Sequence, residues 1–203
     1  HHFKTATEDV TKAYAYKTAL ALNADYSMVS VSGYGIISGF TNDGNKIPEQ
    51  TIPQYYDKLG FSYNKFADSI TVSETEWDFE RYKPDIIVIN LGTNDMNYAT
   101  TDERKAEFED GYLDFLKKVR SLNPDSYIFQ TYGVMGTSLE ENIENVRRKY
   151  MSETGDERIT FIPLTMQDED ADGIVADWHP SPRTHSLVSQ KVTAAIKKTL
   201  GYK

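Results

Sequence analysis

Apolar positions recur along this chain with two different periods. Phe108, Tyr112, Phe115, Leu116, Val119 and Leu122 are three or four residues apart, the stripe of a helix with one buried face. Thr100-Thr101-Asp102-Glu103 is a capping box ahead of that stripe, and Pro124 stops it. Leu139, Ile143, Val146 and Tyr150 mark a second helix, closed by Gly155. Leu187, Val192, Ile196 and Leu200 predict a last helix from about Pro182 to Leu200. A first helix is expected from about Ala6 to Leu22, behind a capping box at Thr5 to Glu8 and closed by Asn23. Between the helices lie short runs rich in β-formers. These are Tyr26 to Val31, Ile86 to Leu91, Tyr127 to Thr131 and Ile159 to Ile162. The second is largely apolar, lies between Pro84 and Gly92, and reads as a strand buried on both faces.

Strand and helix alternate, so the expected fold is α/β, a parallel sheet with helices on both faces. Phe40 to Tyr82 breaks the pattern, with Pro48, Pro53 and many aromatics. A stretch of that length predicts local order or a cleft-forming excursion. In parallel sheets ligands gather beyond the carboxyl ends of the strands. Ser32–Gly35, Gly92–Asn97 and Tyr132–Gly136 follow three strands, and the loop ending in Asp177-Trp178-His179-Pro180 follows the last. All four are expected on one rim.

Length and charge narrow the classes. The 203 residues suit one domain with a substantial core. Thirty-one acids against 22 bases give a net charge of −9, which argues against nucleic acid or an anionic membrane as partner. Apolar runs such as Ile86 to Ile89 fall far short of the roughly 20 residues a spanning helix needs. With no cysteine there is no disulfide, thiolate nucleophile or zinc–thiolate site. Neither composition nor cysteine usage distinguishes an extracellular from a cytoplasmic site of action.

The chemistry concentrates at the rim. Of four histidines, His1 and His2 are terminal and are given no function. His185 falls in the first turn of the last helix and suits a surface role. His179 precedes Pro180, which holds it extended, and is the candidate general base. Asn94, in Gly92-Thr93-Asn94-Asp95, has a side-chain amide able to donate to a developing oxyanion. Gly33 can offer its N–H to the same point, with no Cβ to block approach. Asp95 suits an Asx-type turn on nearby backbone.

Together these segments resemble the SGNH (GDSL) hydrolases. "VSGYGI", "VINLGTND" and "ADWHPS" are most similar to carbohydrate esterase family two, acetyl esterases of plant polysaccharides. The resemblance covers nearly the whole chain. It implies a flavodoxin-like three-layer sandwich in which Gly33 and Asn94 form the oxyanion hole and His179 activates a serine. It implies no metal and no cofactor. Tyr34, Met135 and Trp178 are the candidate substrate contacts, since sugar faces pack on aromatic rings.

The sequence departs from that pattern twice. The superfamily places an aspartate three residues before the histidine, where this chain has Ala176. Its aspartate, Asp177, is two before, which in an extended segment points to the opposite side. Either Asp177 or a backbone carbonyl is then left to orient His179. The Gly-Asp-Ser nucleophile segment and its strand, expected ahead of the first helix, are not among these residues. The resemblance therefore implies a serine carried by an upstream segment or companion chain, along with any N-terminal β-sandwich domain. Without that strand, Tyr26 to Val31 has no neighbour to pair with. Ser69, in Phe66 to Thr71, imitates the nucleophile motif but occurs in the irregular excursion. Asp168, Asp170 and Asp172 imitate the opening of a calcium loop, but its twelfth position, which needs glutamate, is His179. The expected activity is removal of O-acetyl groups from mannan- or xylan-type polysaccharides or oligosaccharides. The alternatives are a lipid or small-ester hydrolase of this fold, and a carbohydrate-binding protein that lost its nucleophile.

Overall fold

The computed structural model describes residues 2, 4–5, 8–61, 65–67 and 69–202. Ala6 and Thr7 of the expected first helix, and Asp68 of the Phe66 to Thr71 segment, lie outside the described residues. The chain divides into two compact units. One comprises residues 1–30, 131–137 and 162–203, the other residues 31–130 and 138–161.

Among the described residues three strands form the main sheet: β3 (Ile86–Asn90), β4 (Tyr127–Tyr132) and β5 (Ile159–Pro163), in the order β3-β4-β5. The ladder is parallel. Tyr127 N–H donates to Asp85 O, Ile128 N–H to Arg158 O, and Leu164 N–H to Tyr132 O, so position numbers rise together on neighbouring strands. β4, in the middle, is fully covered from Ile128 to Tyr132. β3 is not the doubly buried strand its sequence suggested. Val88 is 36% exposed and Ile86 and Ile87 are half-buried, because β3 ends the sheet. The Asp85–Tyr127 bond also fixes which way the edge points: the N–H groups of Ile86, Val88 and Asn90 face away from β4.

Helices α2 (Asp102–Leu122) and α3 (Glu140–Thr154) pack on each other in the second unit. Phe108, Tyr112, Phe115, Leu116 and Val119 of α2 are buried, as are Leu139, Ile143, Val146 and Tyr150. Gly155 closes α3 with φ 68°. The cap of α2 is Thr101, not Thr100, with its hydroxyl accepting from Arg104 N–H at 3.4 Å. The 40–82 excursion has local order: a 3-10 turn at Ile52–Gln54 and a small hairpin of β1 (Lys65–Phe66) and β2 (Ile70–Thr71).

In the first unit, α1 (Tyr14–Ala21) packs on α5 (Pro182–Leu200). α1 is shorter than expected, because Ala13 offers no capping side chain and a separate 3-10 turn at Val10–Lys12 precedes it. Asn23 does close it, with φ 51° and Ala24 N–H reaching back to Ala19 O. α5 has the predicted bounds, capped by Ser181. Its inward residue near the start is Val188; Leu187 is exposed, since the stripe falls one residue later. A short helix α4 (Glu169–Asp172) follows the last strand. Residues 24–31 form no strand. Val29 is 65% exposed, and residues 27–30 make no ladder bond among the described residues.

No described helix is long and apolar enough to cross a membrane.

Candidate active site

Gly33, Tyr34 and Asn94 belong to the second unit, and the fold joins them. Gly92, with φ 120°, turns the chain sharply after β3. Asp95 and Met96 donate their N–H groups back to Gly92 O and fix the turn that carries Asn94. Asn94 Nδ2 donates to Tyr34 O at 2.7 Å. One amide hydrogen of Asn94 therefore holds the strand of backbone that contains Gly33, and the second remains to donate elsewhere. Gly33 has φ 79°, a left-handed conformation, and open space where a Cβ would sit. Its carbonyl accepts from Phe40 N–H.

Asp95 does more than a local Asx turn. It is wholly buried, and its carboxylate accepts from the N–H groups of Ile36, Ile37 and Ser38 at 2.8 to 3.1 Å, some 57 to 59 residues away in sequence. Burial pushes its pKa up, against the pull of those three donors. The fit depends on Gly35, where a Cβ would sit 2.1 Å from Ser38 O and 2.4 Å from Asp95 Oδ2. Nothing in the local sequence signals this pairing, because its partners are backbone groups.

Tyr34 also opens an aromatic cluster. Its ring centroid is 6.1 Å from Tyr55 and 6.4 Å from Phe61, both from the irregular excursion.

His179, Asp177, Trp178 and Met135 belong to the first unit. His179 is exposed, and its Nδ1 is 3.0 Å from Ala176 O. A carbonyl only accepts, so Nδ1 is the donor, and in the neutral ring Nε2 is then the nitrogen with the lone pair. The group that Nδ1 meets is thus a main-chain carbonyl. Asp177 Oδ1 lies 3.0 Å from His2 Nδ1 instead. Asp177 and Trp178 have φ of 50° and 58°, a left-handed turn just ahead of His179. Trp178 is 66% exposed, and its carbonyl accepts from Gln167 Nε2 at 2.9 Å. Met135 is half-buried in the bend after β4.

The remaining sequence candidates lie elsewhere. His185 is half-buried, not a surface residue, and its Nδ1 accepts from Tyr14 N–H at 3.2 Å. Ser69 Oγ donates to Ala67 O within the hairpin turn. Asp168 caps α4, and Asp172 pairs with Arg183 at 2.6 Å. Among the described residues no three His, Asp or Glu side chains group as metal ligands.

A model of the GDSL-like lipase/acylhydrolase family matches residues 31–187, well over half of the chain. The chain belongs to that family. Among curated GDSL-like relatives, the cellulase/esterase CelE of Acetivibrio thermocellus is 32% identical over 98% of this chain and 23% of its own length. An acetylxylan esterase / glucomannan deacetylase of Cellvibrio japonicus is 24% identical over 94% of this chain and 49% of its own. Among solved structures, the acetyl xylan esterase Est2A of Butyrivibrio proteoclasticus superposes with a TM-score of 0.88 at 25% identity, over 98% of this chain and 58% of that one. A family two carbohydrate esterase of Clostridium thermocellum, in complex with cellohexaose, superposes with a TM-score of 0.82 at 30% identity, over all of this chain and 58% of that one. This chain therefore spans about a quarter to a half of these curated relatives and somewhat over half of the solved ones.

Proposed function

We propose that this chain is the main part of a serine esterase domain that removes O-acetyl groups from plant polysaccharides or oligosaccharides of the mannan or xylan type. The observation that carries the reading is the 3.0 Å approach of His179 Nδ1 to Ala176 O. With Nδ1–H held by Ala176 O, Nε2 is the free acceptor a general base requires. The nucleophile is a serine on an upstream segment or companion chain, which forms a strand of the sheet. The edge position of β3 and residues 27–30, which make no ladder bond among the described residues, support such a strand. A separate N-terminal β-sandwich domain belongs to the same proposal.

In this mechanism Nε2 of His179 takes the serine proton as Oγ attacks the acetyl carbonyl. Gly33 N–H and the free Asn94 amide hydrogen donate to the oxyanion. Collapse expels the sugar oxygen, which takes the proton back from His179. Water, deprotonated by the same nitrogen, then hydrolyses the acetyl-serine. In this reading Ala176 O orients the ring, and Asp177, whose Oδ1 lies 3.0 Å from His2 Nδ1, is given no proton-transfer step. Tyr34 with Tyr55, Met135 and Trp178 contact the sugar. No metal or cofactor enters these steps. The names of the Cellvibrio japonicus and Butyrivibrio proteoclasticus relatives support the acetyl ester as substrate.

The test is acetate release from acetylated xylan and glucomannan by the protein carrying this chain and its serine segment. Asn94→Ala should lower kcat about a hundredfold or more, far beyond the roughly 1 kcal/mol of stability lost with its hydrogen bond to Tyr34 O. His179→Ala should abolish turnover. Wild-type rates in either variant would overturn the assignment. A purely carbohydrate-binding role is the second reading, favoured by the cellohexaose complex of the Clostridium thermocellum relative. Binding of cello-oligosaccharide without any acetate release would select it.

A further inference from the structure

We propose that Gln167 is a positioning residue for His179, holding the strained turn whose backbone fixes the imidazole. The proposal rests on the reading of His179 as general base.

The turn needs holding. Asp177 and Trp178 are consecutive non-glycine residues in the left-handed region, at φ 50° and 58°. Each such residue costs roughly 1–2 kcal/mol. Trp178 is too exposed for its own packing to repay that. Two short bonds close the turn on itself: Val175 N–H to His179 O at 2.9 Å, and His179 N–H to Ala176 O at 3.1 Å. Gln167 adds a bond from another segment, its Nε2 donating to Trp178 O at 2.9 Å.

The position of that bond gives it consequence. Trp178 O and His179 N–H belong to one peptide plane. Holding the oxygen therefore sets the direction of the N–H that reaches Ala176 O. The same Ala176 oxygen accepts from Nδ1 of the ring. If the plane rotates, both bonds to Ala176 are strained together, and the tautomer is no longer fixed.

Gln167 is itself anchored. Its N–H donates to Val134 O at 3.0 Å, just beyond β4. Val134 is another left-handed residue, at φ 64°, and a β-branched one. The two loops approach so closely at Gly133 that a Cβ there would sit 2.5 Å from Leu164 O. The amide thus spans from the end of the central strand to the turn before the base.

One feature argues that the amide, not mere bulk, is what this position uses. Gln167 Oε1 is buried and has no hydrogen-bond partner among the described residues. An apolar side chain of similar length would avoid that desolvation cost, commonly about 1–3 kcal/mol. The fold carries the orphan acceptor and keeps the donor beside it.

The test uses Gln167→Glu, which keeps the shape and loses the donor at neutral pH, and Gln167→Met, which keeps only the length. In the 203-residue chain, nitrogen-15 spectra of the His179 ring at a pH where it is neutral should show protonated Nδ1 in the wild type. In both variants they should show a mixture of Nδ1 and Nε2 tautomers. In the serine-bearing protein, kcat on acetylated xylan should fall at least about tenfold with KM unchanged, as expected when a base is misoriented. An unchanged ring spectrum in folded Gln167→Met, or a kcat within twofold of wild type in both variants, would overturn the proposal. The spectrum needs no catalysis, so it is read independently: if His179→Ala keeps its activity, the esterase reading fails while the coupling of Gln167 to the ring is still decided.

Discussion

Gly33 and Gly35 are two residues apart and are required for different reasons. At Gly33 the backbone is left-handed, yet the space around a Cβ is empty. Gly33→Ala should therefore cost only the conformational strain, about 1–2 kcal/mol. At Gly35 a Cβ would meet Ser38 O and the Asp95 carboxylate well inside contact distance. That methyl group would push apart a buried carboxylate and the three N–H groups it serves, each carrying a charge-assisted bond. Gly35→Ala should cost clearly more than Gly33→Ala in urea-monitored unfolding free energy. Equal losses would show that the Asp95 network yields easily. The sequence motif exposed Gly33, Asn94 and His179 because their side chains, or the lack of one, are chemically particular. Ala176 stayed hidden because its contribution is a main-chain carbonyl, which every residue has. The Asp95 partners stayed hidden for the same reason.

At the scale of elements, the packing of α1 on α5 is held by polar as well as apolar contacts. His185 Nδ1 accepts from Tyr14 N–H, Lys17 Nζ reaches Pro182 O and Ser186 Oγ, and Thr18 Oγ1 donates to Ser189 Oγ. Burial lowers the His185 pKa below 6.5, helped by the charges of Lys17 and His179. A protonated Nδ1 cannot accept from Tyr14. Between the folded pKa and 6.5 the unfolded chain binds more protons, so stability rises with pH in that window and falls as acid is added. The melting temperature should drop between pH 7 and pH 5, before most carboxylates titrate. His185→Asn keeps an acceptor near the Nδ1 position and does not titrate, so its drop should be smaller. An identical drop in both proteins would remove His185 from the account. These helices were legible in advance: stripes at a spacing of three to four and good caps gave α5 its bounds, and Gly155 ended α3. Where a cap was missing, at Ala13, the boundary moved.

Strands obey a different rule, which decides the whole molecule. A helix closes its hydrogen bonds within one segment, whereas a strand exists only beside a neighbour. Tyr26 to Val31 has the composition of a strand but joins no sheet among the described residues. Among the described residues β3 has a strand partner on one side only, and Val88 in its middle is left partly in solvent. Asn90 Oδ1, at its end, is buried without a hydrogen-bond partner among the described residues. An edge of this kind, apolar and central in sequence, is one that native proteins ordinarily cover. If the serine-bearing segment adds a strand there, the outward amides of β3 change state in a residue-specific way. Hydrogen exchange at Ile86, Val88 and Asn90 should slow at least about tenfold when the 203-residue chain is compared with the serine-bearing protein, since each gains a ladder bond worth about 1 kcal/mol or more once buried. The amides of Ile128 and Leu164, already bonded within the sheet, should change only as far as global stability does. Equal slowing at both sets would mean that the segment stabilises the protein without pairing to β3. No slowing at the outward amides would mean that the nucleophile arrives on something other than a strand of this sheet.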